Sequence, residues 1–471
     1  MAKVLLFNPP GPEGRSYIRE GRCTQEAGAW ATCWPPVTLA TAAAVLETDG
    51  HEVRVIDFPA TGRSLADLEK ELRRFRPDIA VWSTGTPTLP FDLAVARLVK
   101  EASPGTRTAV MGTHVTVRPE EALREAALDA VVRGEPEMVI RNFCRAGKAG
   151  MEGVRGISWR ANGKGILHNE AEPLLAPEEI PAPAWHHLDL EAYRLPLKGR
   201  RFLIVAPIRG CPYSCSFCTA PLYYGKKLRM RPVGSVLAEM EGNIARHGVR
   251  EFFLWADTFT ADRAYVEAFC REILDRRLAV SWTCNSRVDS VDGGLLRLMK
   301  KAGLWMISFG LESGNDGILA RMGKRITKEQ SRRAVAEAHA AGLRTAGHFI
   351  LGLPGETGQT MAETLAFALD LPLDVGQFYA AAPFPGTALY DEALARGWLA
   401  EPDGFSQNRS ALRIPGLPPE KVDAFRREAY RRFYRRPSTV LHLLSMVEPG
   451  VIGHFGGTLR KFSRWSGLSE R

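Results

Sequence analysis

Arg209-Gly-Cys-Pro-Tyr-Ser-Cys-Ser-Phe-Cys-Thr219 sets Cys211, Cys215 and Cys218 in a C-x3-C-x2-C array within eight residues. Thiolates are the usual ligands of iron–sulfur clusters, and three on one loop suit a [4Fe-4S] cluster with one iron left to a non-protein ligand. Two other chemistries fit less well. A redox dithiol needs only two cysteines, and a tetrahedral structural zinc needs a fourth ligand that the adjoining residues do not supply. The other five cysteines, Cys23, Cys33, Cys144, Cys270 and Cys284, are scattered. Such spacing suits reduced thiols in a cytosolic enzyme better than a disulfide framework. Cys23 and Cys33 stand ten residues apart without a close third cysteine, a poor second ligand set.

Outward from this loop, short apolar runs alternate with helical stretches. Phe202-Leu-Ile-Val-Ala206 leads into the loop, and Phe252–Trp255, Val280–Thr283, Met306–Phe309, Thr345–Leu351 and Gln377–Ala380 follow as strands. Helical patterns intervene at Val233–His247, Ala261–Arg277, Gly293–Ala302, Lys328–Ala341 and Thr360–Leu369. Six strand–helix repeats over 200–390 predict a partial TIM barrel, (β/α)6, with its chemistry at the carboxyl ends of the strands. Upstream, Lys3–Asn8, Glu52–Asp57, Asp78–Ser83, Arg107–Met111 and Ala130–Val132 alternate with helices in the same way. This pattern predicts a parallel α/β domain over 1–148, flavodoxin-like and Rossmann-type, whose ligand binds beyond the strand ends. Residues 149–199 carry Pro173, Pro177, Pro181, Pro183 and Pro196 and read as a linker.

A chain of 471 residues implies two or three domains, and 45% hydrophobic with 24% charged residues is an ordinary globular composition. No signal peptide or membrane-spanning run is evident, so the expected location is cytoplasmic. The net charge of +9 is uneven: from Lys421 onward eleven Lys or Arg face four Asp or Glu. Residues 391–471 therefore read as a basic helical extension. Its aromatics Phe425, Tyr430, Phe433 and Tyr434 leave two readings, a peripheral membrane contact or a solvated helix closing the barrel.

The cysteine loop after a first barrel strand resembles that of radical SAM enzymes. In that family the open iron binds S-adenosylmethionine (SAM), and its reduction yields a 5'-deoxyadenosyl radical. The resemblance implies cluster ligation by Cys211, Cys215 and Cys218, with Phe217 near the adenine. It also implies SAM contacts from Asp257, which stands in place of the family's Gly-Gly-Glu, and from Arg287 to the carboxylate. Ser308, Gly310 and Glu312, in Ser308-Phe-Gly-Leu-Glu-Ser-Gly314, and Gly352, in Gly347-His-Phe-Ile-Leu-Gly-Leu-Pro-Gly-Glu356, match further family segments.

The N-terminal part resembles the cobalamin-binding domain fused to many such enzymes. Asn8-Pro9-Pro10, Ser83-Thr84, Gly112-Thr113-His114 and Gly134-Glu135 each follow a predicted strand, placing all four on one sheet edge as the implied cobalamin site. The Asp-x-His-x-x-Gly signature that donates histidine to cobalt is absent, so His114 is expected beside the cofactor rather than on cobalt. Cys23 to Trp30 and Trp34 fill a long first loop expected to face the barrel.

The resemblance implies a C-methyltransferase acting on an unactivated carbon of a small molecule, using methylcobalamin and an external flavodoxin- or ferredoxin-type electron donor, with no nucleic acid. The tail resembles that of relatives of the anaerobic magnesium-protoporphyrin ester cyclase and of hopanoid-associated enzymes. Oxidative cyclisation or ring rearrangement on a tetrapyrrole or hopanoid-type substrate is thus the nearer alternative. An RNA methylthiotransferase is a further one, and it requires a second cysteine triplet in the N-terminal domain.

Overall fold

Strand β1 (Lys3–Asn8) is apolar after its first residue and lies between β2 (Glu52–Asp57) and β3 (Ile79–Ser83), parallel to both. A computed structural model describes the chain except for residues 21–23, 28–31, 148–149, 162, 400–404, 449–450, 452–454 and 467–471. Cys23 and Trp30 of the long first loop fall outside the described residues. With β4 (Arg107–Met111) and β5 (Ala130–Val132), the order β2-β1-β3-β4-β5 is that of a flavodoxin-like doubly wound sheet. Successive side chains alternate between the two covered faces. Val4 and Leu6 join a core with Leu39 and Leu46 of α1 (Val37–Thr48). Leu5 and Phe7 join the opposite core with Leu68 and Leu72 of α2 (Leu65–Phe75).

The expected linker begins later than its composition implies. Strands β6 (Ile157–Ala161) and β7 (Gly165–His168) form a hairpin that extends the sheet antiparallel to β5. The pair Asn162-Gly163 is the sequence signal of such a turn, and Gly163 adopts φ 73°. Beyond His168 the chain runs in short 3-10 turns against both domains: the Ala184 N–H donates to Ala40 O of α1, and Trp185 and Tyr193 join the core of the second.

The second domain carries β8 (Phe202–Val205), β9 (Glu251–Leu254), β10 (Ser281–Ser286), β11 (Leu304–Glu312), β12 (Arg344–Leu351) and β13 (Val375–Ala380), hydrogen-bonded in chain order and all parallel. This is the expected six-stranded open barrel. Its core is continuous with Trp34, Val37 and Ala40 of the first domain.

Helix α3 (Pro419–Tyr434) covers the last barrel strand. The Phe378 N–H donates to the Tyr430 hydroxyl at 2.9 Å, and the Tyr434 hydroxyl donates to the Gly376 carbonyl at 2.9 Å. Gly376 makes room for the Phe433 ring, which a Cβ would meet at 3.0 Å. Tyr430 and Phe433 are fully buried. The tail aromatics therefore close the barrel edge and are not surface anchors on this helix. After it come α4 (Pro437–Met446) and α5 (Phe455–Ser466). Among the described residues no helix is long and apolar enough to cross a membrane.

Candidate functional site

The cysteine loop hangs from a two-residue antiparallel ladder, Ile208–Arg209 against Arg229–Met230. Gly210 turns the chain out of that ladder at φ 87°, where a Cβ would lie 2.1 Å from the Lys227 carbonyl oxygen. Only glycine fits there. Backbone bonds peg the loop: Cys211 N–H to Gly225 O at 3.2 Å, Cys218 N–H to Cys215 O at 3.1 Å and Ser216 N–H to Met322 O at 2.9 Å. All three cysteines line one cavity of about 170 Å³. Their donor atoms do not form a set within 4.8 Å of one another. Ligands of one zinc ion lie closer than that, whereas cysteines on different irons of a cluster must spread. Burial pushes the Cys215 thiol above its ordinary range, while Lys324 and Arg287 pull it back.

Phe217, Asp257, Arg287, Ser308, Gly310 and Glu312 line the same cavity, although they come from four separate segments. The donor set suits a ligand with amino, carboxylate and ribose groups: a carboxylate at Asp257, an amide at Asn285 and hydroxyls at Ser286 and Ser308. Two expectations need correcting. The Arg287 guanidinium already grips Asp289 through two bonds of 2.8 Å, donates to the Lys324 carbonyl at 2.8 Å and stacks 3.8 Å over Tyr213. Its bidentate edge is thus engaged within the chain rather than open to a carboxylate. Gly352 does not line the cavity. It turns at φ 83°, donates its N–H to Glu356 at 2.6 Å and abuts Val422 of α3, which a Cβ would meet at 2.9 Å.

Glu312 does not pair with Arg287. It accepts from Lys324 Nζ at 2.7 Å, and its own backbone stands at φ 63°. A non-glycine residue held in that left-handed region carries strain of the kind found at functional sites. Gly310 leaves room for the pair, since a Cβ would meet Glu312 Oε1 at 2.6 Å and Lys324 Nζ at 2.8 Å. Sequence reading missed Lys324, Tyr213, Asn285 and Ser286. The last two end strand β10, so their signal was position at a strand's carboxyl end.

At the first sheet, Asn8, Pro9, Pro10, Ser83, Thr84, Gly112, Thr113, His114 and Gly134 do gather at the carboxyl ends of β1, β3, β4 and β5. Asn8 donates to Asp57 at 3.4 Å, and its buried Oδ1 has no hydrogen-bond partner. Together with the hydroxyls of Ser83 and Thr84, that orphaned acceptor fits a cofactor with amide and hydroxyl groups such as cobalamin. The Pro9 carbonyl accepts from Arg19 at 2.8 Å and the Pro10 carbonyl at 3.5 Å; Arg19 in turn clamps buried Asp92. Gly112 is required by packing, because a Cβ would lie 2.1 Å from the Thr84 carbonyl. The Gly134 N–H donates to Thr116 at 3.0 Å. His114 meets Thr86 through Nδ1 and Glu121 through Nε2, both at 3.0 Å. With both ring nitrogens engaged, neither is left for a metal.

Glu135 departs from the expected cobalamin set. It pairs with Arg229 and lies 3.5 Å from Arg209, across the domain boundary and on the ladder that carries the cysteine loop. Beside it, Glu137 meets Arg209 at 2.6 Å. Of the long first loop, Trp34 lines the cavity, together with Glu20 and Gln25. Glu20 is held by the N–H and hydroxyl of Thr38 in the first turn of α1, at 3.1 and 2.5 Å.

A three-cysteine loop at the mouth of a six-stranded barrel, facing one cavity, defines the class: the protein is a radical SAM enzyme. Residues 205–368 match the model of the Radical SAM superfamily, and residues 27–143 match that of the B12 binding domain. The chain is 33% identical to an uncharacterized methyltransferase of Pyrococcus horikoshii over 446 residues, covering 93% of this chain and 94% of that protein. It is 31% identical to the anaerobic magnesium-protoporphyrin IX monomethyl ester cyclase of Rubrivivax gelatinosus, covering 76% of this chain and 66% of the cyclase. The fold is that of the radical S-adenosylmethionine methyltransferase TsrM from Kitasatospora setae, solved with cobalamin and a [4Fe-4S] cluster (TM-score 0.70, 16% identity, 100% of each chain covered). The chain belongs to the cobalamin-dependent radical SAM family, whose cofactors are a [4Fe-4S] cluster, SAM and cobalamin.

Proposed function

We propose that the protein methylates an unactivated carbon of a small molecule. One observation carries the reading: the cavity that begins at Cys211, Cys215 and Cys218 is also walled by Glu20, Gln25 and Trp34 of the cobalamin-binding domain. When bound, the three cofactors supply the radical chemistry and the methyl group. The chain's own residues do the placing. Cys211, Cys215 and Cys218 hold the cluster. Asp257, Asn285, Ser286 and Ser308 orient SAM through its polar groups, beside the Lys324–Glu312 pair. Trp34, Trp255, Tyr379 and Phe384 present apolar surface that keeps water from the reacting carbon. His348 Nδ1 lies 3.3 Å from the Tyr379 hydroxyl, a polar pair set on that otherwise aromatic wall. Electrons come from a flavodoxin- or ferredoxin-type protein.

The test is anaerobic turnover of the reconstituted enzyme with candidate substrates, read by product mass. A gain of one methylene supports methyl transfer. No gain with a new ring supports oxidative cyclisation, the second reading, favoured by the 31% identity to the cyclase. An RNA methylthiotransferase is disfavoured because Cys33 and Cys144 lie in separate cores.

The surface suited to peripheral membrane contact is on α4 rather than α3. Val440, Leu441 and Leu444 are 39%, 65% and 59% exposed on it, within the most basic part of the chain. Co-sedimentation with anionic vesicles tests this: equal binding by wild type and by Leu441→Ser/Leu444→Ser removes the reading.

A further inference from the structure

Outside the cavity, one cluster of side chains stands apart. Glu47 near the end of α1 meets His186 and His187 of a 3-10 turn in the linker (Trp185–His187). Their three donor atoms lie within 4.8 Å of one another, and no other His, Cys, Asp and Glu set among the described residues does so. Nε2 of His186 and Nε2 of His187 lie 2.9 and 2.8 Å from the same Glu47 Oε1. Adjacent residues of a 3-10 turn project about 120° apart. Here their rings nonetheless converge, with centroids 4.3 Å apart.

The backbone that presents the pair is held firmly. Pro181 and Pro183 stiffen the approach. The Ala184 N–H donates to Ala40 O in α1 at 2.9 Å, and the Trp185 side chain is buried beside it. Glu47 and His186 remain open to solvent, with side chains 35% and 59% exposed, so an ion can enter.

We propose that Glu47, His186 and His187 form a divalent-metal site of zinc type, which staples the linker to helix α1 of the cobalamin-binding domain. Two imidazoles and a carboxylate, with a fourth position for water, are a ligand set that zinc accepts. Tetrahedral ligands at about 2.0–2.1 Å from zinc stand about 3.3 Å apart. A shift of a few tenths of an ångström from the observed 2.8 and 2.9 Å admits the ion. The site is separate from the cysteine loop and does not depend on the reaction catalysed.

The test uses holoenzyme with its iron and cobalamin sites already filled, so that the loop cysteines do not compete. Zinc sulfate is added against a chromogenic chelator, and metal is counted by mass spectrometry after desalting. Wild type is expected to retain one zinc per chain beyond its iron and cobalt, and His186→Ala/His187→Ala none. Glu47→Gln is expected to weaken zinc binding by at least about a hundredfold, since even residues one layer outside a metal's ligands contribute about 10- to 100-fold. Circular dichroism and unchanged iron content establish that the variants fold. The proposal is overturned if wild type retains no additional zinc, or if the double variant retains as much as wild type. Should the double variant fail to fold, Glu47→Gln alone decides, and unchanged zinc affinity overturns the site.

Discussion

Replacing Glu137 by glutamine is expected to loosen the cysteine loop from the cobalamin-binding domain. Glu137 is 1% exposed and Arg209 is 5% exposed. Their bond of 2.6 Å links the domains two residues before Cys211. Burial works against the Arg209 charge, but Glu137, Tyr224 and Glu135 outweigh it and hold the guanidinium firmly protonated. In Glu137→Gln, Arg209 keeps its charge and has only Glu135 at 3.5 Å, which is already engaged by Arg229. Breaking one partner from a buried pair costs about 3–5 kcal/mol. Because Glu135 remains, the low end applies, about 3 kcal/mol, or more than a hundredfold in the local equilibrium. The assay is urea-induced loss of the cluster's visible absorbance, measured for Glu137→Gln, Arg209→Gln and the double variant. Removing both charges leaves no orphan, so the double variant should be more stable than the sum of the singles by about 1–3 kcal/mol. Additivity within about 0.5 kcal/mol would refute the coupling.

Four further outcomes follow from particular atoms. Cys211→Ala, Cys215→Ala and Cys218→Ala should each abolish cluster absorbance and reductive SAM cleavage; full cleavage by any one removes the assignment. Gly210→Ala should sharply lower iron incorporation, because its Cβ would meet backbone rather than a movable side chain; normal iron content would count against the turn's role. Burial pushes the Glu356 carboxyl up to about 7 from 4.5. Its stabilising contribution is thus complete below about pH 4.5 and lost as pH rises through about 7, amounting to about 3 kcal/mol. Glu356→Gln should then melt higher than wild type at pH 8 and not at pH 4.5, and an identical pH profile would contradict this. Tyr430→Phe strands the buried Phe378 N–H and should cost about 1–3 kcal/mol in unfolding free energy; an unchanged denaturation midpoint would oppose it.

Several features were legible without coordinates because they depend on neighbours in the chain. The cysteine array is one, and the alternation that builds both sheets is another. Strand-end positions such as Asn8 and Ser83 were placed on the correct edge because a parallel sheet delivers every strand's carboxyl end to one side.

Glu135 read as a ligand-edge residue because it follows β5, and nothing nearby announces Arg229, 94 residues on. The open fork expected at Arg287 failed for a nearer reason: Asp289 lies only two residues away, but its alignment depends on the turn. The aromatic run at 425–434 had the composition of a surface anchor until β13 was found beneath it. The convergence of His186 and His187 on Glu47 across 139 residues had no sequence signal at all. By itself, the chain determined the cluster loop, the two sheets and the order of segments around the cavity, since these follow from spacing and periodicity. Tertiary structure alone decided which charges pair, because an ion pair depends on where side chains meet in space and leaves no period along the chain.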